Sequence, residues 1–352
     1  MVKDRSVYTC DSFSVRFCQS TRKHFNNTVL SLSALQKFDK NPFIVCIVTP
    51  ELNILLLANS TLLSKISHSS HKLRVDNIRG SFNGSDIIQV IEKFSNCPEN
   101  FESLFQIHAT YTFKENLTRL VEATNNIAPT GQKYNPSTKD KAYIKDSPAR
   151  ANKFVFSTDF QTLKEDLDNR VKKAQNEIVI AALIDNVNIR GRVIEYLITS
   201  DSESLSRKQV IELLYNNKPI QGLKMSNNLG DYSKEFEYYS TQTDIKTKVL
   251  FSSSNPKGYN IDKMLEFLSE PNSVFMIYIV GIDDDGCIKA ALSSVFDSRL
   301  LEGSLIMSHW AGRNSRGTTQ FIGNSLSEIL ANNPFAINEV KATEYLENLL
   351  LL

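Results

Sequence analysis

The stretch DIKTKVLF, from Asp244 to Phe251, alternates polar and apolar residues and ends in a Val-Leu-Phe run. That pattern predicts a strand. Side chains two apart on a strand share a face, so Asp244 and Lys246 are expected to converge on one site. Downstream, NIDKMLEFLSE (Asn260 to Glu270) predicts a helix capped by Asn260. SVFMIYIVGI (Ser273 to Ile282) predicts a buried strand, Asp283-Asp284-Asp285-Gly286 a turn, and CIKAALSSVF (Cys287 to Phe296) a strand that pairs back. Upstream, Asp231 follows Gly230 and precedes another expected strand. VIEYLIT (Val193 to Thr199) predicts a helix carrying Glu195, and RKQVIELLYNN (Arg207 to Asn217) predicts a second helix.

Three acids and a lysine, Glu195, Asp231, Asp244 and Lys246, are the groups a metal-dependent phosphodiesterase needs. Carboxylates hold Mg²⁺, which neutralises the scissile phosphate and lowers the pKa of a bound water; a lysine orients that water or stabilises the developing charge. Taken alone, a D-x-K triplet is weak, because charge alternation is usually a solvated face. The order adds to it: helix with Glu, then Asp, then strand with D-x-K, then helix, then buried strand.

This order resembles the PD-(D/E)xK nuclease superfamily over Gly191 to Phe296, about a third of the chain. The run TDIKT (Thr243 to Thr247) is similar to the motif strand of restriction enzymes and of the mismatch-repair nicking endonuclease. The resemblance places the first acid, Glu195, on a helix, the second, Asp231, at the start of a strand, and Asp244 and Lys246 on the next strand. It departs in one place: Gly230, not a proline, precedes Asp231. Glu235 and Glu237 lie close enough in sequence to take the place of Asp231, and Asp185 is a further spare acid before the Glu195 helix. The resemblance implies Mg²⁺ as cofactor, held by Asp231 and Asp244, and cleavage that leaves 5′-phosphate ends.

Flanking segments extend that expectation towards a type II restriction endonuclease acting on double-stranded DNA. HWAGRNSRGTTQFIGN (His309 to Asn324) is dense in residues that pair with base edges, with Arg313, Asn314, Arg316 and Gln320 as the candidate readers. SKISHSSHKLRVDNIRGSFNGSDI (Ser64 to Ile87) offers Lys72, Arg74 and Arg79 for phosphate or base contact. His68 and His71 in that stretch lack a third zinc ligand at suitable spacing. An ordinary polar surface loop is the alternative for both segments. A palindromic site would call for a homodimer, and a cognate DNA methyltransferase is the expected genetic partner. Two alternatives stay open: a structure-specific or nicking repair nuclease of the same superfamily, and a non-catalytic DNA-binding module.

The N-terminal part carries two apolar runs, FIVCIVT (Phe43 to Thr49) and LNILLLA (Leu52 to Ala58), that predict a hairpin in a sheet. IIQVIEKF (Ile87 to Phe94) and NLTRLVEAT (Asn116 to Thr124) have helical spacing. Between Ile127 and Asn152, Pro129, Gly131, Pro136 and Pro148 punctuate a lysine-rich stretch and predict a linker or surface loop. FQTLKEDLDNRVKKAQ (Phe160 to Gln175) predicts a charged helix capped by Ser157 or Asp159, whereas EIVIAALI (Glu177 to Ile184) reads equally as helix or strand. The expected fold is therefore α/β: a mixed sheet flanked by helices, of restriction-endonuclease type, with an additional N-terminal α/β domain. The expected division is 1–127 for recognition or dimerisation, 128–152 as basic linker, and 153–352 as nuclease domain with a recognition loop.

Composition bounds these expectations. With 40 basic and 39 acidic residues the chain is not a wholly basic nucleic-acid binder, so affinity must rest on local patches. Five scattered cysteines, an odd number with no CxxC spacing, argue against a disulfide framework and a zinc finger. No apolar run reaches membrane-spanning length and the first residues lack a signal-peptide core, so a cytoplasmic protein with no membrane partner is expected. GxSxG, P-loop and GxGxxG motifs do not occur.

Overall fold

The structure, a computed structural model, describes residues 2–4, 7–20, 30–67, 74–76, 80–127, 133–200, 206–216, 229–250, 252, 255–309, 314–331 and 337–352. The chain divides into two compact units. One comprises Met1–Gln132 and Ser308–Ser315, the other Lys133–Met307 and Arg316–Leu352. Both are mixed α/β, as the sequence predicts.

In the first unit, β1 (Val2–Asp4), β2 (Val7–Thr9), β3 (Ser14–Gln19), β5 (Phe43–Val48) and β6 (Asn53–Leu57) form one sheet in that order. Only the β3–β5 pair is parallel, with β4 (Leu30–Ser31) and helix α1 (Leu32–Phe38) in the connection. The β5–β6 hairpin forms as predicted. Leu32, Leu35, Phe43, Val45, Ile47 and Phe82 fill the core, with α2 (Phe101–Ala109) and α3 (Phe113–Asn125) completing the unit. Thr112 and Glu115 cap α3 reciprocally.

The helix predicted over Ile87 to Phe94 does not form. β7 (Ser81–Phe82) pairs with β4, and β8 (Val90–Ile91) pairs with β9 (Phe94–Ser95) across Glu92 and Lys93, both at positive φ. A two-residue turn with both φ angles positive suits the twist of a hairpin and overrides the apolar spacing.

The second unit opens with α4 (Thr138–Val155), where the sequence predicts a linker; residues 138–155 are helix, and the basic-loop reading of 128–152 is corrected there. Ser137 and Asp140 form its capping box. Pro148 lies inside it and cannot donate to the carbonyl of Ile144, but the Ser147 hydroxyl donates to that carbonyl at 2.6 Å. The helix buries Ile144, Ala151, Phe154 and Val155. Its buried Arg150 donates to the carbonyls of Tyr143, Leu268, Glu270 and Ser273, the last three in the distant turn from Leu268 to Ser273. Next come α5 (Thr158–Lys173), capped by Ser157, then α6 (Gln175–Ala182), which settles the ambiguous EIVIAALI stretch as helix. α7 (Val187–Thr199) and α8 (Arg207–Asn216) follow.

The central sheet runs β10 (Tyr232–Glu235), β11 (Ser240–Val249), β13 (Ser273–Ile282), β14 (Ile288–Ser294). β10 and β14 are antiparallel to their neighbours; β11 and β13 are parallel over ten residue pairs, from Ser240↔Ser273 to Val249↔Ile282. A parallel pair requires a crossover, here β12 (Lys257–Asn260) and α9 (Ile261–Leu268), capped by Asn260 as predicted. Every residue of β13 is buried, which explains its uninterrupted apolar run. After the short α10 (Ser298–Glu302), β15 (Ser304–Met307) and β16 (Thr318–Phe321) join β12 in a three-stranded sheet, β12-β16-β15. α11 (Gly323–Ala331) packs on the central sheet and α12 (Glu339–Leu351) packs on α4. Among the described residues no helix is long and apolar enough to cross a membrane.

Candidate active site

The four residues predicted for catalysis come together in the second unit. Asp244 and Lys246 lie on β11. Lys246 Nζ is 2.8 Å from both Asp244 carboxylate oxygens and donates to Oδ1; Oδ2 is buried with no donor aligned on it. Asp231 immediately precedes β10. Because Tyr232 pairs with Thr243, Asp231 falls opposite Asp244 across the antiparallel ladder. Its backbone donates to the Thr243 carbonyl at 2.9 Å, and its Oδ2 accepts from the Ile245 amide at 2.7 Å. Its carboxyl lies close enough to Asp244 on one side and to Glu195 of α7 on the other to raise the pKa of both.

This register settles which acid accompanies Asp244. Glu235 pairs with Ser240 at the far end of β10 and accepts from the Ser240 hydroxyl at 2.7 Å, and Glu237 is exposed beyond the strand. Gly230 has a reason of its own: a Cβ there would sit 2.9 Å from the Thr243 nitrogen and 3.0 Å from its oxygen. Its amide donates to Gln242 Oε1 at 3.1 Å. A side chain at this position would push Asp231 away from β11.

In this buried site three carboxyls crowd around a single ammonium, and the carboxyls disfavour one another's ionisation. Burial, then the adjoining Asp231, pushes Glu195 up to about 8. Asp244 is raised well above the carboxylate range, chiefly by burial, with Lys246 opposing and Asp231 adding to the shift. Three carboxyls gathered around one ammonium fit a divalent cation held between Asp231 and Asp244. Among the described residues no group of three or more His, Cys, Asp or Glu side chains is gathered as a metal cage. Mg²⁺ commonly takes one or two carboxylates and keeps several waters, so a two-carboxylate site suits it.

The sequence missed a set of residues behind this cluster. Asp166 of α5 accepts from the Tyr232 hydroxyl, from Lys234 Nζ at 3.1 Å and from Arg170 Nε at 3.3 Å. The Arg170 guanidinium lies 4.9 Å from the Tyr232 ring centroid and donates to the carbonyls of Ile198 and Thr199 at the end of α7. Burial pushes the Asp166 carboxyl up, but the hydrogen bonds from Tyr232 and Lys234 outweigh it and leave it below its ordinary value. The spacing of Asp166 and Arg170 by four on a helix, and of Tyr232 and Lys234 by two on a strand, was the available signal.

The predicted DNA readers fare differently. Arg316 is 5% exposed and cannot reach a base. Its NH1 donates to Asp262 Oδ1 at 2.6 Å and to the Tyr134 carbonyl at 2.7 Å, and its Nε to the Leu349 carbonyl at 2.9 Å. Assignment of Arg316 to DNA contact is therefore corrected: it clamps α9 to the C-terminal helix. Gln320 sits on β16 and donates to the Asn255 carbonyl at 3.1 Å. Arg74 is exposed beside Asp76 at 3.3 Å, and Asn314 is exposed in the first unit. Lys72, Arg79, Arg313, His68 and His71 lie outside the described residues.

The first unit holds one more polar constellation that the sequence did not flag. Thr61 Oγ1 lies 2.7 Å from His108 Nδ1, and His108 Nε2 lies 2.8 Å from the Asp39 carbonyl. Ser60 donates to Asp39 Oδ2 at 2.6 Å, and Asn116 donates to both hydroxyls at 2.9 Å. Ser60 is fully buried and bonded to the acid rather than to a base, so the group ties the end of α1 and the turn after β6 to α2 and α3. Comparison of the chain with family models, with curated proteins and with solved structures finds no match.

Proposed function

We propose that this chain is a Mg²⁺-dependent endonuclease of the PD-(D/E)xK type, cutting double-stranded DNA at a short specific sequence as type II restriction enzymes do. The observation that carries the reading is the convergence of Glu195, Asp231, Asp244 and Lys246 at one buried site. The sheet supports it: an antiparallel hairpin bears Asp231 and the D-x-K pair, and a helical crossover leads to a parallel buried strand. Restriction specificity, a homodimer and a cognate methyltransferase follow from the resemblance of the motif order.

Asp231 and Asp244 would hold the ion. Bound there, Mg²⁺ would neutralise the scissile phosphate and lower the pKa of a water. Lys246 holds the attacking water beside Asp244 and stabilises charge developing on the phosphate. Glu195, beside Asp231, helps hold or orient the site. Water oxygen attacks phosphorus, the bond from phosphorus to the 3′ oxygen breaks, and the products are a 5′-phosphate and a 3′-hydroxyl.

The test is cleavage of unmethylated phage DNA with Mg²⁺ and with a chelator. Discrete fragments in Mg²⁺ alone are expected, and Asp244→Ala or Lys246→Ala should each lower the rate by about 100-fold or more while DNA binding persists. A variant that cuts at the wild-type rate would refute the assignment of the site.

A further inference from the structure

We infer that Asp166 is a positioning residue that sets the spacing between the Glu195 helix and the Asp231 strand. The inference rests on the nuclease reading of the same site. Catalysis by carboxylates on separate elements needs those elements held to a fraction of an ångström. Asp231 immediately precedes β10 and Glu195 rides on α7, and backbone pairing fixes only the first of these to β11. Asp166 gathers both through α5. It takes Tyr232, the residue next to Asp231, and Lys234 two positions on, so it grips the strand at two successive positions of one face. Its third partner, Arg170, reaches the last carbonyls of α7 while stacking on the Tyr232 ring. One carboxylate thus joins the strand of one acid to the helix end of the other without touching the reacting atoms.

Three variants test this: Asp166→Ala, Asp166→Asn and Tyr232→Phe. Each is measured for folding by circular dichroism, for Mn²⁺ affinity by electron paramagnetic resonance without DNA, and for kcat and KM of DNA cleavage. Asp166→Ala is expected to lower kcat and weaken Mn²⁺ binding, each by about 10-fold, with KM for DNA little changed. Asp166→Asn keeps an acceptor for Tyr232 and should recover part of both losses. Wild-type kcat and Mn²⁺ affinity in a folded Asp166→Ala variant would overturn the inference. If that variant does not fold, Tyr232→Phe, which removes only the hydroxyl, must lower both values; unchanged values would overturn it. A wild-type protein that binds Mn²⁺ but cuts no DNA would end the nuclease reading, while the Mn²⁺ comparison still decides the role of Asp166. A wild-type protein that does neither overturns both.

Discussion

Asp244 has one ammonium beside it and two further carboxyls behind it, so its ionisation and that of Glu195 are penalised in the folded chain. The sign of the resulting pH dependence follows. Glu195 sits at about 8 in the fold, above its ordinary value, so the folded state binds the proton more tightly. Its favourable contribution is complete below the unfolded pKa and is lost as pH rises towards 8. Without a divalent cation, the thermal midpoint should therefore fall between pH 5 and pH 8 in a melting series, and Glu195→Gln should flatten that slope. A slope unchanged by Glu195→Gln would place the titration elsewhere. Arg316 is the opposite kind of residue, a buried cation fully matched by Asp262 and carbonyls. Arg316→Ala leaves Asp262 buried without its cation and should cost about 3–5 kcal/mol in denaturant unfolding. Discrimination among DNA sequences should not change.

At the scale of elements, the hairpin of β10 and β11 is the site's chassis, and Gly230, just before β10, lies against the Thr243 backbone of β11. Gly230→Ala brings a methyl against Thr243 backbone, which cannot yield like a flexible side chain. We expect a loss of about 1–3 kcal/mol in stability. Metal affinity should fall as well, because Asp231 follows directly; a variant with wild-type Mn²⁺ binding would contradict this. Helix α4 makes a related point. Its proline predicts a break, yet Ser147 supplies the Ile144 carbonyl with a donor and the apolar stripe is buried. Ser147→Ala should lower stability by about 1–3 kcal/mol in the same unfolding assay, since a buried carbonyl loses its partner.

The whole molecule is two units with separate cores, one around Phe43 and Phe82 and one around β13. All four proposed catalytic residues lie in the second. A fragment of residues 133–352 is therefore expected to bind Mn²⁺ with the affinity of the full chain. A folded fragment that has lost the ion would tie the site to the first unit. With a net charge of +1, the chain has no global attraction for DNA, so binding should lean on local cations and weaken steeply with added salt.

What the sequence determined by itself was local. The two-residue period of a strand put Asp244 and Lys246 on one face, caps at Asn260 and Ser157 marked helix starts, and the order of acids along the chain named Glu195 and Asp231. Tertiary structure alone decided what depends on distant partners. Antiparallel register chose Asp231 over Glu235 and Glu237. The pairing of Arg316 with Asp262 turned an expected DNA reader into an internal clamp. A serine beside Pro148 and a core to pack on made a helix of an expected linker, and a two-residue turn made a hairpin of an expected helix. Spacing fixes which way a side chain points relative to its neighbours in sequence; only the folded chain fixes what it meets there.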